Sequence, residues 1–253
     1  MRVLITGAAG HIGSEMVSEL TQTHEVRLID RVGVAGHESI VADLGRAGGR
    51  RLLKPWWKSR SPNWRRALDG VGAVLHLAAE ASPKASWGKV VSNNVQGTWN
   101  VIEAAATHHV PRVVFASSNW AVKALEQRLA PECYLPEGRK MSCDASPRPI
   151  TSYGLSKAFG EVAGRMFVDE GRLRTFIAVR IGNYSSKPPK DEILRTRWIG
   201  VDDIRSLLRR CVEADVEGFH IVYGVSAQKT APYDLSHTRE LLSWEPRQNA
   251  LDG

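Results

Sequence analysis

The segment Thr6-Gly7-Ala8-Ala9-Gly10-His11-Ile12-Gly13 constrains what this chain can fold into more than any other. It joins a short apolar run, residues 3–6, to a helical pattern over residues 11–21. Gly7 permits a tight turn, Gly10 lets backbone approach a ligand, and Gly13 lets the helix lie close to the strand. The first turn of a helix has N–H groups without partners inside the helix, here those of His11, Ile12 and Gly13. They attract an anion, and the helix dipole favours it. Strand, glycine turn and helix in this order predict a βαβ fold that binds a pyrophosphate.

The rest of the chain continues that pattern. Apolar runs at 26–30, 73–78, 112–117 and 175–181 are short, rich in Val, Ile or Leu, and bounded by turn residues. Strands buried on both faces of a parallel sheet read this way. Helical patterns at 88–108 and 153–170 lie between them, the first with Val91, Val95, Trp99 and Ile102 at helical spacing. The alternation predicts an α/β chain with a doubly wound parallel sheet, the Rossmann architecture. After Ile181 come a polar loop, a helix over 201–214, a short strand over 219–223 and a short helix over 234–242. We therefore expect a dinucleotide-binding domain over 1–182. Residues 183–253 read as a small C-terminal substrate lobe, integrated with it and lying over the sheet's carboxyl edge. Residues 46–63 and 123–149 read as long loops. Arg205, Arg209 and Arg210 read as the solvated face of the 201–214 helix.

Asp30 closes the second strand, seventeen residues past Gly13. A carboxylate there accepts hydrogen bonds from the adenosine ribose hydroxyls and repels a 2′-phosphate, so the predicted cofactor is NAD. Its neighbour Arg31 is a cation that suits a phosphate. Asp43 and Leu44 end the next expected strand and are candidates to hold the adenine.

Tyr153-Gly154-Leu155-Ser156-Lys157 puts a phenol and an ammonium at i and i+4, on one helical face. Phe115-Ala116-Ser117-Ser118-Asn119 ends the fifth strand at its carboxyl edge, where such folds bind ligands. A free Tyr is a poor base at neutral pH, because its pKa is near 10. A neighbouring Lys stabilises the phenolate. Lowering the pKa by about three units takes roughly 4 kcal/mol. Tyr153 is thus a candidate general base, Lys157 its electrostatic partner, and Ser118 the hydroxyl that orients a substrate.

Composition narrows the class. The chain has 253 residues with 34 Lys+Arg against 27 Asp+Glu, a net charge of +7. Eight of the basic residues and no acidic one fall between Gly45 and Leu68, so that segment carries +8 and the remainder −1. Three of the eight tryptophans, Trp56, Trp57 and Trp64, lie there too. Arg and Lys interleaved with Trp can clamp phosphates and stack bases. The preferred reading is a Trp-anchored insertion packed on its own domain or on a second subunit, and nucleic acid is disfavoured as a partner. No apolar run reaches the roughly 18 residues of a membrane span. No leader pattern precedes the first strand. Three cysteines without C-x-x-C spacing suit a reducing cytoplasm. The only close His pair, His108-His109, does not make a metal site.

These residues carry a resemblance. Thr6–Gly13, Asp30, His76-Leu77-Ala78-Ala79, Asn94, Phe115–Asn119 and Tyr153–Lys157 resemble the extended short-chain dehydrogenase/reductase superfamily, of the NAD-dependent epimerase/dehydratase type. Val179-Arg180-Ile181-Gly182, Val222-Tyr223-Gly224-Val225-Ser226-Ala227, Asp202-Asp203 and Trp244-Glu245-Pro246 resemble its uronate dehydrogenase branch in order and spacing. The resemblance implies an NAD-dependent oxidoreductase in which Tyr153 takes the proton of an anomeric hydroxyl, C1 loses hydride, and a lactone forms. It implies cofactor contacts from Leu77, Ala78, Ala79, Asn94, Lys157 and Ile181. Sugar contacts would come from Ser82, Ser118, Asn119, Trp120 and Tyr153. Trp120 stands where the branch carries His. Arg195 and Arg197 lie near, but not at, the place of the branch's carboxylate-binding Arg, and Arg195 is the candidate taken. The partner implied is a small sugar or sugar acid. A sugar epimerase or an aldose dehydrogenase of the superfamily stays open, as does a homo-oligomer. A non-catalytic dinucleotide-binding or nucleic-acid-binding protein is the alternative from another class.

Overall fold

The computed structural model describes residues 1–45 and 64–250. Seven parallel strands form one sheet in the order β3-β2-β1-β4-β5-β6-β9. They are β1 (Arg2–Thr6), β2 (Glu25–Asp30), β3 (Ile40–Val41), β4 (Ala73–His76), β5 (Arg112–Ser118), β6 (Thr175–Ile181) and β9 (Gly218–Gly224). The order reverses direction between β1 and β4, which opens a crevice at the carboxyl ends of those two strands.

The period of two along each strand sorts side chains into two layers. Val3 and Ile5 of β1, with Ile177 and Val179 of β6, join one core layer. Leu4, Phe176 and Ala178 join the other. Helix α1 (His11–Leu20) covers the first layer with Met16 and Leu20, beside α7 (Val201–Glu213) with Ile204, Leu207 and Leu208. The second layer is covered by α3 (Gly97–Thr107) and α5 (Ser152–Asp169), through Val101, Ile102, Ala105 and Phe167. All seven residues of β6 are buried, which accounts for its run of apolar residues from Phe176 to Val179.

The expected 88–108 helix is interrupted. Helix α2 (Trp87–Val90) passes through a π-helical turn, Val91–Gln96, into α3. The wider turn shifts the helical register and brings Asn94 inward, where it is buried.

The C-terminal part differs from the expected lobe in two ways. The strand expected over 219–223 is β9, and it pairs along its whole length with β6 as the seventh strand of the main sheet. Helix α7 packs against α1, and α8 (Ser236–Leu242) against β9. Apolar residues of all three belong to cores continuous with the sheet, and β9 contributes to both of its faces. Asp203 is buried and accepts from the backbone N–H groups of Arg247 and Gln248, at 2.8 and 3.0 Å. That bond ties the segment after Trp244 back to α7. The part following β6 directly is a small pairing of β7 (Asn183–Tyr184) with β8 (Trp198–Ile199), separated by the short α6 (Glu192–Arg195).

Two further expectations are corrected. The stretch over 123–149 is not all loop: α4 (Lys123–Leu129) and a short 3-10 helix, Glu132–Tyr134, occupy its start. Its prolines fall outside α4 and masked the helical pattern. Arg205 and Arg209 are not a free solvated face, because they pair with Glu15 and Glu19 of α1. Residues 46–63, most of the basic segment, lie outside the described residues. Its last turn, Trp64–Leu68, is a 3-10 helix that buries Trp64, Ala67 and Leu68, with Arg65 stacked on Trp64 at 5.1 Å. No described helix is long and apolar enough to cross a membrane.

Candidate active site

The glycine turn connects β1 to α1 as expected. Gly7 has φ +72°, and a Cβ there would stand 2.6 Å from the Ala78 nitrogen, so only glycine fits. Gly10 is the N-cap of α1, with no side-chain hydrogen bond to the first turn and no acidic residue in it. The N–H groups of His11, Ile12 and Gly13 therefore start an uncapped helix, the arrangement that receives an anion. The His11 side chain is exposed, Ile12 packs against the core, and Gly13 is buried. Any part these three take in anion binding belongs to the backbone.

A groove of about 250 Å³ runs beside the turn. Gly7, Gly10, Asp30, Arg31, Asp43, Leu44, Leu77, Ala78 and Ala79 line it, all of them singled out from sequence. Asn93 lines it as well and was not anticipated; Arg31 Nη1 reaches its Oδ1 at 3.5 Å. Asp43 and Leu44 follow β3 rather than ending it, since that strand is only two residues long. The Asp30 carboxylate accepts from the N–H groups of Ala9 at 3.0 Å, Arg31 at 2.6 Å and Val32 at 3.4 Å. Those bonds fix the carboxylate at the groove wall with lone pairs to spare for hydroxyl donors. The residues thus fit a dinucleotide: an uncapped helix end for the pyrophosphate and a fixed carboxylate for a ribose.

The catalytic candidates meet at the carboxyl end of β5. Thr151 caps α5 by accepting from Gly154 N–H at 3.1 Å, which starts the helix just before Tyr153. On the sheet side, a Cβ at Gly160 would stand 2.3 Å from the Phe115 ring. The missing side chain lets α5 lie against β5, so Tyr153 and Lys157 come up beside Ser118. All three are buried. Lys157 Nζ donates to the Ala116 carbonyl at 2.7 Å and lies 5.6 Å from the centre of the Tyr153 ring.

The electrostatics differ from the sequence expectation. Burial lowers the Lys157 ammonium to about 8. Burial also raises the Tyr153 phenol above its ordinary value, with the Ser118 hydroxyl opposing that rise. Burial governs both groups: each is shifted toward its neutral form.

Asn94 links groove and triad. Its Oδ1 accepts from Glu80 N–H at 2.7 Å, and its Nδ2 donates to the Glu80 carbonyl and the Ser156 hydroxyl, each at 3.0 Å. It thereby pins the loop after β4 to the helix turn between Tyr153 and Lys157. Ile181 ends β6 opposite Ser118. Asn119 is buried, and Trp120 is half-buried with Lys123 Nζ 5.7 Å from its ring centre.

Two expected substrate contacts are less closely gathered. Ser82 is exposed in the loop before α2, where its hydroxyl accepts from Lys84 N–H at 3.2 Å. Arg195 donates through Nε to the Pro189 carbonyl at 2.7 Å. Arg197 is buried and paired with Glu126 at 3.3 Å. Glu126, Lys123, Tyr134 and Tyr233, none of them singled out from sequence, form a polar cluster behind Asn119. The segment 123–149 had given no helical signal that would have placed the first two on one face.

Among the described residues no group of three His, Cys, Asp or Glu is placed to hold a metal. All three cysteines are buried and free, and burial pushes each thiol up.

Residues 3–201 match the model of the NAD-dependent epimerase/dehydratase family. The chain is 33% identical to an NAD-dependent glucose-6-phosphate dehydrogenase of Haloferax volcanii, over 99% of this chain and 94% of that protein. It is 32% identical to a uronate dehydrogenase of Agrobacterium fabrum, over 98% of this chain and 85% of that one. The structure of an Agrobacterium tumefaciens uronate dehydrogenase variant complexed with NAD superposes with a TM-score of 0.79 at 31% identity, covering 99% of this chain and 86% of that one.

Proposed function

The chain belongs to the NAD-dependent epimerase/dehydratase family and is an NAD-dependent dehydrogenase of sugars, and we propose that it oxidises the anomeric hydroxyl of a free, uronate-like sugar acid to a lactone. The observation that carries the reading is the meeting of Tyr153, Lys157 and Ser118 beside the groove, with Asn94 bracing one to the other. Tyr153 in its phenolate form takes the C1 hydroxyl proton. Lys157 stabilises that phenolate as a cation, and the Ser118 oxygen orients the C1 hydroxyl. NAD, when bound, supplies the acceptor for the hydride that leaves C1, so C1 ends as the lactone carbonyl. Asp30 holds the adenosine ribose, with Arg31 beside it. Asp43, Leu44, Leu77, Ala78 and Ala79 complete the cofactor wall.

Asn119, Trp120 and the loop carrying Ser82 surround the sugar, with the β7–β8 segment as the substrate side of the molecule. A cytoplasmic setting belongs to the proposal and is supported by the three free thiols.

A second reading, a phosphorylated sugar, is favoured by the Haloferax relative. A panel of uronic acids, neutral aldoses and sugar phosphates, each with NAD and NADP, separates the two by absorbance of the reduced cofactor. We expect a uronate to reduce NAD fastest, and Tyr153→Phe to cut kcat by roughly 10²–10⁴. Reduction by sugar phosphates alone moves the assignment to the second reading. Full activity in Tyr153→Phe overturns the proposed chemistry, and sugar conversion without net NADH assigns an epimerase.

A further inference from the structure

A buried chain of hydrogen bonds runs into the Ser118-Tyr153-Lys157 group from behind. At its far end is Glu126 on α4, with no exposure to solvent. Its Oε1 accepts from Lys123 Nζ at 2.5 Å and from the Tyr134 hydroxyl at 2.7 Å, and lies 3.3 Å from Arg197 Nη1. Its Oε2 accepts from the Tyr233 hydroxyl at 2.9 Å. The Tyr233 oxygen in turn accepts from Asn119 Nδ2 at 3.0 Å, and Ser118 Oγ donates to Asn119 Oδ1 at 3.2 Å.

The charge at one end decides the direction of every bond. An ionised carboxylate only accepts. Burial by itself would raise the Glu126 carboxyl, yet Arg197 and Lys123 hold it below its ordinary value. Tyr233 is pushed well up by burial and by the Glu126 charge, so it keeps its one proton. That proton goes to Glu126. The Tyr233 oxygen is left as an acceptor, and only the NH₂ end of the Asn119 amide can supply it. The carbonyl end must then face Ser118 and the space in front of it.

We propose that Glu126 and Tyr233 are positioning residues that set the orientation of the Asn119 amide, so that the site beside Ser118 presents a carbonyl oxygen and takes a hydroxyl donor of the sugar. An anionic oxygen at that position would face a lone pair, so the sugar's acidic group lies elsewhere. The inference rests on the sugar occupying the space beside Ser118, as the proposed function has it.

Tyr233→Phe tests it with little change of shape, because the ring stacked on Tyr223 at 4.6 Å is retained. We expect KM for the sugar to rise roughly tenfold, the size of one lost charge-linked hydrogen bond, with KM for NAD unchanged. In an Asn119→Ala background the same substitution should add less than about twofold, since residues acting through one another are non-additive. The side-chain NH₂ signal of Asn119, identified in the amide NMR spectrum by its loss in Asn119→Ala, should shift in Tyr233→Phe and in Glu126→Gln. Glu126→Gln keeps the shape of the carboxylate and stands in should Tyr233→Phe fold poorly. Fully additive effects of Tyr233→Phe and Asn119→Ala on the sugar KM, or an Asn119 signal that moves in neither variant, overturn the proposal. The NMR signal needs no substrate, so an enzyme that oxidises none of the sugars refutes the proposed function while the orientation of Asn119 is still decided.

Discussion

Lys157 carries two opposed demands. In the proposed chemistry its cation supports the Tyr153 phenolate, while its burial favours the neutral amine and lowers its pKa to about 8. Oxidation needs the phenol deprotonated, and the phenol is held high by burial. The kcat/KM of the forward reaction should therefore rise with pH as Tyr153 gives up its proton. Removing the positive charge leaves the Ser118 hydroxyl alone to favour the phenolate. In Lys157→Met the rising limb of the pH–rate profile should move to higher pH, with a lower plateau. A limb that stays in place would show that the ammonium does not act on the phenol. At this scale the sequence was informative: Tyr153 and Lys157 at i and i+4 have one geometry on a helix. Their desolvation was not legible, because burial depends on what the fold lays over them.

Helix α5 and strand β6 are joined by a buried ion pair. Arg180 donates to both Glu161 oxygens, each at 2.9 Å, and the Ser117 hydroxyl adds a bond to Glu161 at 2.6 Å. The remaining Arg180 protons reach the Cys143 and Ala145 carbonyls and the Tyr223 hydroxyl. Glu161 and Arg180 thus join the helix to the strand. Glu161→Ala leaves a guanidinium buried without its counter-ion and should cost about 3–5 kcal/mol of stability, measured by urea unfolding. Glu19→Ala breaks only the pair between α1 and Arg209, which lies near the surface, and should cost less than about 1 kcal/mol. Comparable losses in the two would mean that the Arg180 site admits water. The π-helical turn at Val91–Gln96 is the element least visible beforehand, since Val91, Val95, Trp99 and Ile102 satisfy an ordinary helix equally well.

Across the molecule, β1, β4 and α3 are tied together by His76. It is 1% exposed, with Thr6 Oγ1 at 2.7 Å and Thr98 Oγ1 at 3.1 Å. Burial first, and the Lys157 charge second, lower its pKa to about 3. The unfolded chain, with an ordinary His near 6.5, then binds the proton that the native state refuses. Stability is complete above about pH 6.5 and falls as pH drops toward 3, by about 1.4 kcal/mol per unit at most from this residue. His76→Gln should flatten that slope between pH 6 and 4 in urea titrations. An unchanged slope would place the acid sensitivity in other groups.

What the sequence determined by itself is local in origin. The glycine turn, the apolar runs and the Tyr–Lys spacing each follow from the geometry of a few neighbouring residues; together they led to the sheet, and they carry the proposed cofactor groove and catalytic group. The tertiary structure decided what depends on residues far apart in the chain. It made β9 part of the main sheet, where backbone pairing with β6 and burial on both faces hold it. It paired Arg197 with Glu126, 71 positions away, and turned Asn119 through Tyr233, 114 positions away. Hydrogen bonds and ion pairs of that span leave no periodicity in the sequence. Their partners are chosen by the low dielectric of the interior, where an unmatched charge or donor is too costly to keep.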